Sequence, residues 1–322
     1  MIYINKQQPI SQNGRQYIQD WLGTKKDEDT DGNERTFKQY LATVLDDDSK
    51  TGNTIWDIMT DKKALKRSLL CEQGFVCCYC GRRLFADFNT HLEHLKAKGK
   101  KEEGKYINKQ YIFDYDNLMA CCFGSSKDII HIVENSAETI ESIAAKYAVS
   151  KDKIEELYID DTNYESVKKK YDIENLKIGD KVLIIEKCEK EHQHCGPKKE
   201  DGDISIHPLH INCQELFRYK RQDEEVKIEH FTEGDTHATI QTLGLNDNQM
   251  LNRERKASID TALNIRKLIL ARADKRELLQ KQITSYTPNN KFAPSDTFPD
   301  AAFFRKLFWF VELAVFTGRY KL

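Results

Sequence analysis

Apolar residues recur at helical spacing near the start of the chain, over Gln16–Leu22 and again over Glu34–Leu45. The polar stretch Lys25–Asn33 separates them and reads as a loop. Ahead of them Met1–Ile4 is short, apolar and extended in character. Asp61 is placed to cap a further helix through Leu65, Leu69 and Leu70, which Gly74 stops. These helices have little to bury among themselves, so they are expected to pack on the cysteine-rich core that begins near residue 76. Further along, Ile130–Glu134 reads as a strand, Ala137–Tyr147 as a helix and Ser150–Tyr158 as a second helix capped by Ser150. Leu176–Ile185 reads as a turn feeding a strand, and Lys227–Thr239 as a hairpin. Residues 247–283 form one long helix with Ile259, Ala262, Leu263, Ile265, Leu268 and Ile269 as its apolar stripe. Pro288, Pro294 and Pro299 mark a loop, and a last helix ends at Gly318. The most apolar run, Ala301–Phe316, is broken by Arg305, Lys306 and Glu312. It is too short to span a bilayer and reads as a buried helix, so no membrane association is expected.

Composition narrows the picture only a little. The chain has 322 residues, 32% charged and 39% apolar, enough for two or three domains. A net charge of −2 gives no global basic field, so any nucleic-acid binding must use a local patch or a partner's surface. Nine cysteines without a secretory leader point to a reducing, cytoplasmic setting, where paired cysteines are more often metal ligands than disulfides.

The chemistry is concentrated between Cys77 and Cys122, joined by Cys195 much later. Cys77 and Cys80 have the C-x2-C spacing that lets two thiolates on one tight turn share Zn2+, with Gly81 relieving the turn. Cys122 and Cys195 can close a tetrahedral structural site, although Cys188, His192 and His194 are also candidates by type and position. Cys78 and Cys121 each neighbour a proposed ligand and read as small buried apolar residues. Between the two halves stands the pair Glu93-His94, followed by Asn117. Hydrolysis of a phosphodiester needs a base for water and a divalent cation for the developing charge. His94 suits the base, and Glu93 is a hard ligand for Mg2+ or Mn2+. Asn117 is placed to tie down the loop after the strand and hold the imidazole in one tautomer. His91 is an additional candidate cation ligand, although a lone strand histidine is more often structural. Adjacent strand residues face opposite ways, so the Glu93-His94 pair needs a strand end. Lys96, Lys98, Lys100, Lys101 and Lys105 come directly after it, where phosphate contacts are expected, although a solvated loop is the plainer reading. This order is what a ββα-metal (HNH) nuclease requires.

The runs Leu92-Glu93-His94-Leu95-Lys96-Ala97-Lys98, Asn117-Leu118-Met119-Ala120-Cys121-Cys122 and His194-Cys195-Gly196-Pro197-Lys198-Lys199 resemble the HNH nucleases of Septu-type and retron-associated anti-phage defence, the PtuB group. Met1–Ile4 with Pro9, and Leu69–Gln73, are similar to that group too. The resemblance covers most of the chain outside residues from about 128 to 190. It favours Cys195 as fourth zinc ligand because Lys198 and Lys199 come after it, and it adds Lys199 to the expected phosphate contacts. It also implies a defence role beside a PtuA-like ATPase subunit. Two departures stand out: Ala97 replaces a common proline, and Gly196 replaces the asparagine that binds metal in many such enzymes. Residues 128–190 carry Thr139–Ala144 and Leu176–Asp180, which resemble a LysM domain inserted as a βααβ module.

The expected fold is therefore α+β. Residues 1–75 form an N-terminal helical region, 76–127 and 191–245 two parts of a ββα-metal core with a zinc knuckle, 128–190 the insertion and 246–322 a C-terminal helical region. The expected activity is metal-dependent cleavage of nucleic acid, DNA favoured. RNA such as tRNA is the alternative substrate, and a zinc-stabilised, non-catalytic binding or scaffold subunit the rival reading.

Overall fold

A computed structural model describes residues 1, 3–6, 14–28, 32–84, 90–124, 126–147, 151, 154–159, 167–170, 176–179, 181–187, 189–211, 213–230, 234–286, 309–316 and 320–321. The architecture is mixed α/β with small sheets and a cluster of cysteines.

The chain opens with α1 (Gly14–Gly23), β1 (Lys25–Glu28), β2 (Glu34–Thr36), α2 (Phe37–Leu45), α3 (Gly52–Trp56) and α4 (Lys63–Glu72). The polar stretch read as a loop is in part a strand, since β1 pairs antiparallel with β2. Apolar alternation could not reveal it, because the hairpin is joined by charge. Arg35 grips Asp27 through Nε and Nη2 at 2.7 and 2.9 Å, and Lys25 reaches Glu34 at 2.8 Å. Consequently α2 begins at Phe37, where Thr36 and Gln39 form a reciprocal capping box. Such a cap contributes about 1 kcal/mol. Ahead of α4 the N-cap position falls to Lys62, without a side-chain cap, rather than to the expected Asp61; the Asp61 carboxylate instead accepts from the Lys63 amide at 3.0 Å, and Gly74 (φ 63°) lies just past the helix end.

The N-terminal helices pack on the cysteine-rich part, as expected. Arg15 clasps Asp116 with two hydrogen bonds (2.6 and 3.2 Å), and Ser68 Oγ accepts from the Gly14 amide at 2.8 Å. Lys6, almost fully buried, donates to Glu72 at 2.9 Å and to the Leu118 carbonyl at 2.8 Å. Burial lowers the Lys6 pKa, and burial raises that of Glu72.

Next come β3 (Thr90–His94), β4 (Lys101–Glu102), β5 (Lys105–Tyr106) and β6 (Leu118–Cys122). β3 and β6 pair antiparallel with His94 opposite Leu118 and Thr90 opposite Cys122. Every β6 residue is buried. The lysine-rich loop after His94 is a small hairpin, β4 with β5, rather than an open loop. The Lys100 ammonium is held there by Asp203.

The chain then builds a four-stranded sheet in the order β7-β10-β8-β9 from β7 (Ser126–Ile132), α5 (Ile140–Tyr147), β8 (Ile154–Ile159), β9 (Val167–Lys170) and β10 (Lys181–Lys187). Where a second helix is expected over Ser150–Tyr158, the described residues Ile154–Ile159 form a strand, and Ser150 lies outside the described residues. Ile154, Leu157 and Tyr158 fall at helical spacing, but pairing of β8 with both β10 and β9 decides the conformation. The described elements of this segment run βαβββ, not the βααβ of the expected LysM-like module. Asn175 and the rest of 171–175 lie outside the described residues. Val133, Ile140, Ile143, Ala144 and Val182 form a buried cluster separate from the main core.

In the antiparallel ladder of β7 with β10, Ser126 stands opposite Lys187. Paired Cα atoms in such a ladder lie about 5 Å apart. Replacing residues 128–185 with a short Gly/Ser linker is therefore expected to keep bound metal and change stability by less than about 1 kcal/mol. Metal analysis and a thermal melt of the shortened chain check this, and loss of metal would make the segment part of the scaffold.

The last part holds α6 (Gly196–Lys199), β11 (Phe217–Gln222), β12 (Glu225–His230), α7 (Asp235–Thr242), α8 (Gln249–Leu270), α9 (Lys275–Tyr286), α10 (Trp309–Phe316) and β13 (Tyr320–Lys321). The hairpin expected over Lys227–Thr239 lies earlier, in β11 and β12, with Asp223 (φ 51°) at its turn. The single helix expected over 247–283 breaks into α8 and α9 after Ala271, where Arg272 turns onto Asp274. Ile259 and Ala262 are buried as the apolar stripe requires, whereas Leu268 is 71% exposed. The helix read from Ala301 is described only from Trp309, and Gly318 lies outside the described residues. Ile4 donates its amide to the Pro208 carbonyl at 2.8 Å, which ties the first residues to this part. No helix among the described residues is long and apolar enough to cross a membrane.

Candidate functional site

The sulfur cluster is built from three distant pieces of chain. Residues 77–81 form a turn in which the Gly81 amide donates to the Cys77 carbonyl at 3.0 Å; Gly81 has φ 76°, which glycine adopts without strain. Cys78 donates its amide to the Ala120 carbonyl, and the Gln73 side chain bridges Val76 and both backbone groups of Ala120. These bonds fix the turn against β6, which carries Cys122. Cys195 arrives last, its amide held by the Leu243 carbonyl at 2.7 Å and its backbone at φ 60°, ψ −136°. That is an unfavourable conformation for a residue with a Cβ, of the kind that persists where surroundings over-determine it.

The Sγ atoms of Cys77, Cys80, Cys122 and Cys195 all lie within 4.8 Å of one another, in fully buried residues. Cys77 is 3.7 Å from Cys195, and Cys80 is 3.8 Å from Cys122. An ion with four sulfurs at about 2.3 Å in a tetrahedron sets the sulfurs about 3.8 Å apart. The donor set thus fits Zn2+, and these four cysteines can hold such an ion. Of the alternatives, His192 turns its Nδ1 to the Asp247 carbonyl, and Cys188 lies outside the described residues. His194 packs beside the cluster, with Nδ1 3.1 Å from Cys195 Sγ. Burial lowers its pKa to about 3, so it stays neutral and can offer an N–H to a thiolate.

A cleft of about 730 Å³ opens beside this cluster, lined by His91, Glu93, His94, Lys98, Lys199 and Trp56 among others. His94 ends β3, so Glu93 and His94 both reach it, as the strand-end requirement demanded. The His94 ring is 3% exposed, and its Nε2 lies 3.0 Å from the Ile112 carbonyl. A carbonyl only accepts, so Nε2 carries the proton and Nδ1 keeps its lone pair. Burial, then Lys98, lowers the His94 pKa to about 4, which leaves the ring neutral at pH 7. Trp56 meets the ring edge-on at 4.7 Å, and Phe113, Trp21 and Phe37 continue an aromatic chain back to α2.

Asn117 acts one step away from the imidazole. Its Oδ1 accepts from the Lys96 amide at 2.7 Å, and its Nδ2 donates to the carbonyls of Lys96 (3.3 Å) and Tyr111 (3.0 Å). It therefore fixes the chain next to Ile112, while the Ile112 carbonyl sets the tautomer.

Glu93 is held as a carboxylate. Burial pushes its pKa up, but His91 and Lys199 outweigh burial and bring it down to about 2. Lys199 Nζ donates to Glu93 Oε1 at 2.9 Å and to the His94 carbonyl at 3.0 Å. Lys199, expected at a phosphate, is instead buried against Glu93. His91 Nε2 lies 3.5 Å from Glu93 Oε2, and its Nδ1 is buried without a hydrogen-bond partner among the described residues. A Cβ on Gly196 would fall 2.8 Å from both Glu93 Oε2 and His91 Nε2. Glycine thus leaves the two groups room.

The expected phosphate lysines diverge. Lys96 is exposed, with its ammonium 3.5 Å over the Tyr111 ring. Lys98 faces the cleft, makes no ion pair within 4 Å among the described residues, and has its pKa lowered chiefly by burial. Trp56, Ile112 and Gln73 carry no signal in the sequence as site residues. Ile112 and Gln73 act through backbone groups, and Trp56 is reached only through folding of α3. Against known protein families, curated proteins and solved structures, the chain has no match.

Proposed function

We propose that this chain is a metal-dependent phosphodiesterase of HNH type that cleaves nucleic acid, DNA favoured, through the cleft around His94. The observation that carries this reading is a neutral imidazole beside an ionised carboxylate, with Nε2 fixed on the Ile112 carbonyl and Nδ1 left as acceptor. In this reading His94 Nδ1 takes a proton from water, whose oxygen attacks phosphorus. Glu93 Oε2 and His91 Nε2 fit one divalent cation, since a mixed imidazole and carboxylate set suits Mn2+ and accepts Mg2+. When bound, that ion supplies Lewis-acid stabilisation of the phosphorane and the leaving oxygen. Lys98 meets the substrate phosphate. Lys199 holds Glu93 ionised and in place, and Asn117 keeps the loop that carries Lys96 against Tyr111.

The resemblance adds a setting: the effector of an anti-phage defence complex, with a PtuA-like ATPase subunit that controls cutting. A net charge of −2 supports a need for such a partner's surface to complete a nucleic-acid groove. The rival reading, a zinc-stabilised binding subunit, draws on the Lys199–Glu93 pair, because the carboxylate already has a cation. Incubation of the chain, alone and with an ATPase partner, with plasmid DNA and total RNA under Mn2+ or Mg2+ separates them. Metal-dependent cleavage of DNA is the expected result. Cleavage of RNA alone would change the substrate, and no cleavage of either would favour the binding subunit.

Gly196→Ala offers a sharper check on the cation pair. The added methyl must displace Glu93 Oε2 or His91 Nε2. Cleavage is expected to fall about 10- to 100-fold with zinc retained. Undiminished kcat/KM in that variant would remove His91 and Glu93 as a paired site.

A further inference from the structure

The cysteines beside the four-sulfur set carry more than packing. Cys77, Cys78 and Cys121 have their Sγ atoms within 4.8 Å of one another, and all are fully buried. Cys77 Sγ stands 3.7 Å from Cys195 on one side and 3.7 Å from Cys121 on the other. Cys77 belongs to both groups of sulfurs, and Cys121 also interacts through its side chain with Cys122 and Cys195, so the two groups adjoin. None of the three is in a disulfide.

Three sulfurs around one trigonal ion at about 2.3 Å lie about 4 Å apart. Cys78 and Cys121 are fully buried in the core, as small apolar residues would be, and their sulfurs also stand at ligand spacing from Cys77. We infer that Cys77, Cys78 and Cys121 form a second metal site, a trigonal thiolate set for a soft monovalent ion such as Cu(I), with Cys77 bridging it to the tetrahedral ion. Soft thiolate donors select Cu(I), and three-coordination needs no fourth ligand from this dry interior. Binding displaces protons from the two thiols not already ionised, Cys78 and Cys121, and changes no oxidation state. The tetrahedral set has a neighbouring cation in Arg255, which is fully buried on α8, interacts electrostatically with Cys80 and Cys195, and leaves Nε and Nη2 without hydrogen bonds among the described residues. Arg255 Nη1 is anchored on the Leu245 carbonyl at 2.7 Å.

The test is an anaerobic titration of the full zinc-loaded chain with Cu(I) supplied from a chelator complex. Metal content is measured after gel filtration. One zinc and one Cu(I) per chain are expected. Cys78→Ala and Cys121→Ala should each lose the copper and keep the zinc, with an unchanged melting curve. The inference is overturned if Cu(I) binds only by displacing zinc, if no copper is retained, or if both variants bind copper like the parent chain. Should either variant fail to fold, the stoichiometry of the parent chain still decides. The readout is independent of any cleavage activity.

Discussion

Cys80→Ser is expected to strip the metal from the four-sulfur cluster and abolish the chain's cooperative melting transition. The four sulfurs come from a turn, a strand and a distant helix start, and they stand at the spacing at which one tetrahedral ion could join these pieces. Apparent binding free energies of structural zinc reach about 10–16 kcal/mol. Whole domains are stable by only about 5–15 kcal/mol, so no reserve remains once a ligand is lost. Gly81, Gln73 and the Leu243 carbonyl position the ligands, but they supply no attraction between four buried thiolates. Metal analysis with circular dichroism on heating measures both consequences. A variant with full metal content and the parent melting curve would show that the cluster is ordinary packing.

His94→Ala is expected to keep metal and fold while cleavage drops about 10²- to 10⁴-fold, the usual contribution of a positioned base. The pH dependence adds a signature. Burial holds the folded His94 pKa near 4, against about 6.5 in an unfolded chain. With His94 as the proposed base, cleavage is expected to persist to mildly acidic pH, with the acid limb of kcat falling through about pH 4 rather than pH 6.5. The same shift acts on stability with a defined sign. The folded pKa is depressed, so the unfolded chain binds the proton first as pH falls. Stability is whole above about pH 6.5 and lost between there and pH 4, by about 3 kcal/mol at the lower end. His94→Ala should make that part of the stability profile shallower by one proton's contribution, leaving the contribution of His194, whose pKa is lowered to about 3. A cleavage profile unchanged by the substitution would mean that another group activates water.

Local signals in the sequence read some of this correctly. The turn at Cys77 and Cys80, the helical spacing of α1 and α4, and the strand end at His94 all depend on residues within a few positions of one another. The illegible parts depend on distant pairing. β8 carries helix-spaced apolar residues and becomes a strand because β10 and β9 flank it. The β1–β2 hairpin has no apolar face to announce it, only charges that recognise one another after folding. Lys199 has the look of a phosphate ligand beside Lys198, yet the short turn of α6 drives it inward onto Glu93. The carbonyl of Ile112 is beyond reading from sequence, since a backbone group has no residue type.

The ladder of β7 with β10 also bears on the order in which the molecule is made. His194 lies 72 residues after Cys122, so two halves of the metal site leave the ribosome well apart. An open chain of that length would have to close a long loop before any ion could join them. Once Ser126 faces Lys187, only a few residues remain on either side to be closed. Shortening the effective loop about sevenfold lowers the closure cost by about 2 kcal/mol. The inserted sheet can assemble on its own cluster of Val133, Ile140, Ile143 and Val182 while Cys195 is still to come. During synthesis it would then act as a clip that delivers the last sulfur to a waiting turn and strand.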